Sequence, residues 1–123
     1  MSIMSNEAKY QDLRKRVKAY AVRIIKLYSA LPKHTVAQVI GKQLLRSGTS
    51  VGAQFCEGHR AKSKADFVSK NQGSLQELEE TLYWLELLID AEIIGSKRLE
   101  ALFKETNELT AILTSIVKRN QRH

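Results

Sequence analysis

The chain has one cysteine, one proline, one tryptophan and six glycines in 123 residues. A lone Cys56 cannot form an internal disulfide, so no oxidised framework holds the fold together. Six glycines and a single proline are too few for the many turns of an all-β protein. Aromatic residues amount to 7%, too sparse for a surface that stacks the successive bases of a single strand. No apolar run approaches the roughly 20 residues of a membrane span. The segment MSIMSNEAKY lacks the apolar core of a signal peptide. Cytoplasmic residence without a membrane partner is therefore expected. No phosphate-binding glycine loop, dinucleotide fingerprint or Gly-x-Ser-x-Gly nucleophile elbow occurs.

What remains is the composition of a folded domain, with 43% hydrophobic and 27% charged residues. The length suits one domain over 1–123. Leu, Ile, Ala, Lys, Glu and Arg dominate, which favours helices. The apolar spacing predicts four of them, roughly over 7–31, 35–57, 63–93 and 96–120. In the first, Leu13, Val17, Tyr20, Ile24, Leu27 and Leu31 recur at intervals of three and four until Pro32 stops the helix. The second should start at Thr35, with Gln38 completing a capping box, and bury Val36, Val39, Ile40, Leu44, Ser47, Val51 and Phe55. Ser63 with Asp66 marks the third start, Gly95 its end, and Ser96 the cap of the fourth helix. Short turns make successive helices antiparallel neighbours. The expected fold is all-α, an antiparallel up-down-up-down four-helix bundle.

Small residues interrupt the second helix. Gly41, Gly48 and Gly52 each cost about 1 kcal/mol relative to alanine inside a helix, and close approach of another backbone is the natural return. Gly48 and Gly52 are therefore packing candidates, and Gly52→Leu should overfill the contact. The third helix carries Asn71 in its apolar stripe, where a buried amide can fix register or oligomer state. Tyr83, Trp84, Leu87 and Leu88 widen that stripe until it calls for a second partner, a neighbouring subunit included. Trp84 reads as a core or interface anchor.

Neither metal nor cofactor binding is expected. A carboxylate metal centre in a bundle needs Glu-x-x-His on two helices, but Glu57-Gly58-His59 has the wrong spacing, and His34 and His123 sit at a turn and the terminus. Cys56 reads as a small apolar filler sooner than as a nucleophile.

Net charge is +7 and unevenly spread. Residues 71–95 hold six carboxylates and no Lys or Arg, whereas residues 1–34 hold eight Lys/Arg against two carboxylates. Two basic groups stand out. Arg14, Lys15, Lys18, Arg23 and Lys26 lie on the first helix, and Arg60, Lys62 and Lys64 follow the expected break at Glu57-Gly58, with Arg46 in the helix before it. Were these to adjoin, several phosphates could be neutralised at once, by backbone or shape contacts to folded RNA or DNA. The alternative is a solvated face whose charges are offset by the acidic helix.

A family resemblance adds to this reading. Leu44-Leu45-Arg46-Ser47, Thr49-Ser50-Val51-Gly52-Ala53, Glu57, Ser63-Lys64-x-Asp66-Phe67 and Glu80-Thr81-x-Tyr83-Trp84-Leu85 occur in this order. The pattern resembles the four-helix bundle proteins related to the 23S rRNA intervening-sequence protein, over roughly residues 10–118. It departs at Gln54, where that family commonly has Asn, and at Phe55-Cys56, where smaller or more polar pairs are usual. The resemblance implies a homopentamer. It also implies a distant relation to the accessory protein of diversity-generating retroelements, which binds nucleic acid and a reverse transcriptase. The function expected is a non-enzymatic oligomeric bundle that binds RNA or DNA. The alternative is a protein–protein scaffold or accessory subunit docking a partner enzyme such as a reverse transcriptase.

Overall fold

A computed structural model describes residues 6–121; the first five residues, and Arg122 and His123 of the basic tail, lie outside. Four helices follow one another: α1 (Asn6–Ala30), α2 (Thr35–His59), α3 (Lys64–Asp90) and α4 (Ser96–Gln121). No strand occurs among the described residues.

Facing residues fix the direction of each helix. Along α1 and just past its end, Val17 faces Gly52, Ile24 faces Gly48 and Leu31 faces Gly41, so numbers rise on one helix as they fall on the other. Between α2 and α3, the Ser74 hydroxyl donates to the Val51 carbonyl at 2.8 Å. Two turns further along α3, Thr81 donates to Ser47 Oγ at 2.8 Å, and Gly58 sits against Asn71. Tyr20 and Thr106 share a buried hydroxyl–hydroxyl bond of 2.7 Å that ties α1 to α4. The result is the expected up-down-up-down bundle. The α2/α3 seam is its most extensive contact and the α1/α4 seam its thinnest.

The core is the set of stripes facing inward: Val17, Tyr20, Ile24, Leu44, Val51, Leu78, Leu85, Leu88, Leu99, Leu109 and Leu113 are almost wholly buried. Burial pushes the Tyr20 phenol up to about 12, so it remains a neutral donor. Val36 and Val39 depart from expectation. Both are 57% exposed, because α2 turns Ala37, Gly41 and Gly48 inward in their place. Those small residues let α1 approach. A Cβ on Gly48 would lie 2.7 Å from Ile24 Cγ1, and one on Gly41 would lie 2.7 Å from Leu31 Cδ1.

Two helix ends differ from the sequence reading. The N-cap of α2 is His34, whose Nδ1 accepts from the Ala37 backbone N–H at 3.3 Å. Gln38 leaves the capping role, donating to the Pro32 carbonyl and accepting from the Tyr28 hydroxyl. The second helix also runs straight through Glu57-Gly58 to His59. Gly58 is buried, and a Cβ there would stand 3.0 Å from Asn71 Nδ2; it serves packing, not chain reversal. Ser63 does cap α3, accepting from the Asp66 N–H at 3.1 Å.

The third helix ends at Asp90, earlier than Gly95. Glu92 takes the left-handed conformation at φ 58°. The Ile93 N–H returns to the Leu88 carbonyl, and the Glu92 N–H to that of Ile89. This is the paired 6→1 and 5→2 closure that usually places glycine at the left-handed position. A side chain there costs roughly 1–2 kcal/mol. Glu92→Gly is therefore expected to raise stability by about 1 kcal/mol, a melting-temperature gain of about 3–5 °C measurable by circular dichroism. A lower melting temperature would refute the strain argument.

Candidate nucleic-acid interface

Threading the charges onto the bundle sorts them by height. The half that holds the α2/α3 turn comprises residues 6–18, 51–74 and 107–121, and it carries eleven Lys/Arg against five Asp/Glu. The opposite half, residues 19–50 and 75–106, carries eight against eight. The described net charge therefore resides wholly in one half of the molecule. A second property divides along the same line. Val22, Ile25, Val36, Val39 and Tyr83, the exposed large hydrophobics among the described residues, all belong to the neutral half.

Within the basic half, Arg60, Lys62 and Lys64 are exposed on the turn between α2 and α3. Arg14, Lys15 and Lys18 are exposed on α1, whose first turn meets the end of α2 where Glu7 pairs with His59 at 3.5 Å. At 1.5 Å per residue, Lys18 is about 18 Å from that end, so Arg14, Lys15 and Lys18 of the first expected group share the half that holds the turn. Lys118 and Arg119, in the last turn of α4, are brought to the same end. Composition alone did not single them out; the up-down topology does, because it returns the end of α4 to the level of the α2/α3 turn.

Three other expected contacts lie elsewhere. Arg46 spans the α2/α3 seam, donating to Glu77 at 3.2 Å and to Glu80. Its hydrogen bond holds the Glu80 carboxyl below its usual range, and the buried Trp84 indole N–H, without a well-formed hydrogen bond of its own, also favours that carboxylate. Arg46 is thus committed within the chain. Arg23 and Lys26 fall in the neutral half, and Arg23 adds its charge to the field that lowers Glu105. That field is dominated by Arg16, which grips Glu105 through Nε at 2.9 Å and Nη2 at 2.7 Å across the α1/α4 seam.

The packing candidates are placed as follows. Gly48 is buried and Gly52 half-buried, both against α1 of the same chain. Asn71 is fully buried; its Nδ2 donates to the Phe67 carbonyl at 2.9 Å while Oδ1 has no protein partner. Trp84 packs on the core from its edge, and Tyr83 meets it edge-on with ring centroids 5.3 Å apart while remaining 55% exposed. The longer arm of Gln54 lies across Gly73, where a Cβ would come within 2.7 Å of its Cδ. Among the described residues no His/Cys/Asp/Glu cluster could hold a metal ion, and no helix is long and apolar enough to cross a membrane.

A family model described as 23S rRNA-intervening sequence protein matches residues 9–115. Among solved structures, the chain is similar to a protein of unknown function from the S23 ribosomal protein family of Bacteroides thetaiotaomicron VPI-5482. The two are 42% identical with a TM-score of 0.81, over 85% of this chain and 97% of that one. No curated protein matches the sequence.

Proposed function

The chain belongs to the 23S rRNA-intervening sequence protein family, and from that premise we propose that it is a non-enzymatic, self-associating bundle that binds structured RNA or DNA through phosphate contacts. The observation that carries this reading is the confinement of the net charge to one half. Eleven cations against five carboxylates around one end make a patch suited to a polyanion. The neutral half, with its exposed Val22, Ile25, Val36, Val39 and Tyr83, is the surface through which copies associate. Association there, in the pentamer implied by the family or another closed ring, would gather the basic ends of all copies and multiply a modest patch by avidity. A cytoplasmic location fits such a partner.

Mobility-shift titration of a folded RNA hairpin at several salt concentrations tests the binding. The affinity should fall steeply with salt, with log K dropping by about 0.7–0.9 per tenfold-salt unit for each phosphate engaged. Affinity at low salt no greater than that of an acidic control protein would sink the reading. Light scattering tests the assembly: several times the chain mass of 14.0 kDa is expected, and a clean monomer refutes it.

The exposed apolar side chains of the neutral half also support a second reading, an accessory subunit that docks a partner enzyme such as a reverse transcriptase. A partner retained on the protein after nuclease treatment favours this role over direct nucleic-acid binding.

A further inference from the structure

At the basic end, α1 and α4 part and leave a cleft of about 870 Å³, within the range of small-molecule sites. Leu13, Phe55, Phe67, Ile112 and Ile116 give it an apolar lining. One wall is a three-ring stack. Tyr10 lies against Phe55 with centroids 5.3 Å apart and planes at 15°, and against His59 at 3.5 Å and 11°. The phenol of Tyr10 is raised above its usual range, first by burial and then by Cys56. The outermost ring of the stack, His59, is 39% exposed and immediately precedes Arg60 of the basic turn.

The charges at the mouth narrow the occupant. Arg16 is committed to Glu105 and Glu108, and Glu7 is engaged by His59 and Gln11. Lys9 and Arg119 remain at the rim, with Asp12 as the opposing carboxylate. The surrounding half bears six more positive than negative side chains, which disfavours a basic peptide or the same end of a second copy. A flat π-ring tethered to a phosphate matches both the aromatic wall and the cations. A base inside a duplex cannot present its face, but one in a bulge, a loop or at an end can.

We infer that the cleft between α1 and α4 receives one unpaired nucleobase, stacked against the Tyr10 and His59 wall, with the adjoining phosphates held by Lys9, Arg119 and the Arg60 to Lys64 turn. This rests on the nucleic-acid reading above and deepens it: the phosphate contacts supply general affinity, and the cleft selects nucleic acid with an extruded base.

Two RNA hairpins that differ only in one bulged 2-aminopurine, unpaired in one and paired in the other, test the inference against the full-length protein. The bulged hairpin should bind roughly tenfold tighter, the scale of one base-to-aromatic stack, and its 2-aminopurine fluorescence should be quenched on binding. Ser115→Trp, which fills the mouth from an exposed position, and His59→Ala, which removes the outer ring, should each abolish the preference while leaving affinity for the paired hairpin within about threefold. Unchanged melting temperature shows that each variant is folded. Equal affinity for the two hairpins, or a preference that survives both substitutions, overturns the cleft assignment and leaves the electrostatic reading standing. Failure to bind either hairpin at low salt overturns both.

Discussion

Gly48→Leu is expected to lower the unfolding free energy by about 3 kcal/mol. The added side chain has nowhere to go. A Cβ alone would meet Ile24 Cγ1 at 2.7 Å, Cγ2 at 2.8 Å and Cβ at 3.1 Å. Ile24 is fully buried, and its β-branch holds χ1 to one rotamer in a helix. Yielding therefore means moving α1 away from α2 along their whole seam. The helix propensity gained on replacing glycine, about 1 kcal/mol, offsets only part of this. The melting temperature should fall by about 10 °C, read by circular dichroism, with a matching drop in denaturant midpoint.

Two other glycines serve as contrasts. At Gly52 the nearest atom to an added Cβ is Val17 Cγ2 at 3.4 Å, ordinary contact, so Gly52→Ala should cost little, while the longer side chain of Gly52→Leu is still expected to overfill the seam. At Gly73 the obstacle is the far end of the flexible Gln54 side chain, which can swing aside. Gly73→Ala should therefore be neutral or slightly stabilising. Equal losses at all three positions would show that helix propensity, not close approach, governs the response.

Replacing Arg60, Lys62 and Lys64 together by alanine should weaken binding to structured RNA roughly 100-fold near physiological salt. Each lost phosphate contact removes about 0.7–0.9 from the slope of log K against log salt, so three contacts flatten the slope by about 2–3. Arg46→Ala should change affinity little, because that guanidinium is already held by Glu77 and Glu80. A paired replacement of Lys97 and Arg98, at the neutral end of the bundle, should likewise shift affinity by less than about threefold. Equal losses from all three variants, read by mobility shift at two salt concentrations, would place the binding surface elsewhere or make it diffuse.

Much of the fold could be read from the chain because its helices are long and their apolar stripes regular. Pro32 and Ser63 mark boundaries by local chemistry that tertiary contacts do not alter. Val36 and Val39 misled because valines at helical spacing look inward, whereas the buried face of α2 is set by the small residues against which α1 packs. Glu92 was hidden for a related reason: left-handed geometry ordinarily selects glycine, and here a glutamate is held in it by hydrogen bonds to two carbonyls. Gly58 looked like a break because its neighbour on α3, Asn71, is thirteen residues away in sequence. The proposed basic site was half visible. Arg60, Lys62 and Lys64 sit together in the chain, but Lys118 and Arg119 join them only once four helices have folded back. Arg46 could not be set aside before the α2/α3 register placed two glutamates beside it.

The placing of Asn6 and Gln121 at the same, charged end of the bundle has a practical side. A tag or surface anchor attached at either point would crowd the very groups that should face the ligand. The turns at residues 31–34 and 91–95, at the far end of the helices, are the better points of attachment. A fluorophore or a biotin placed there would leave the opposite end unobstructed and would instead report on contact between copies.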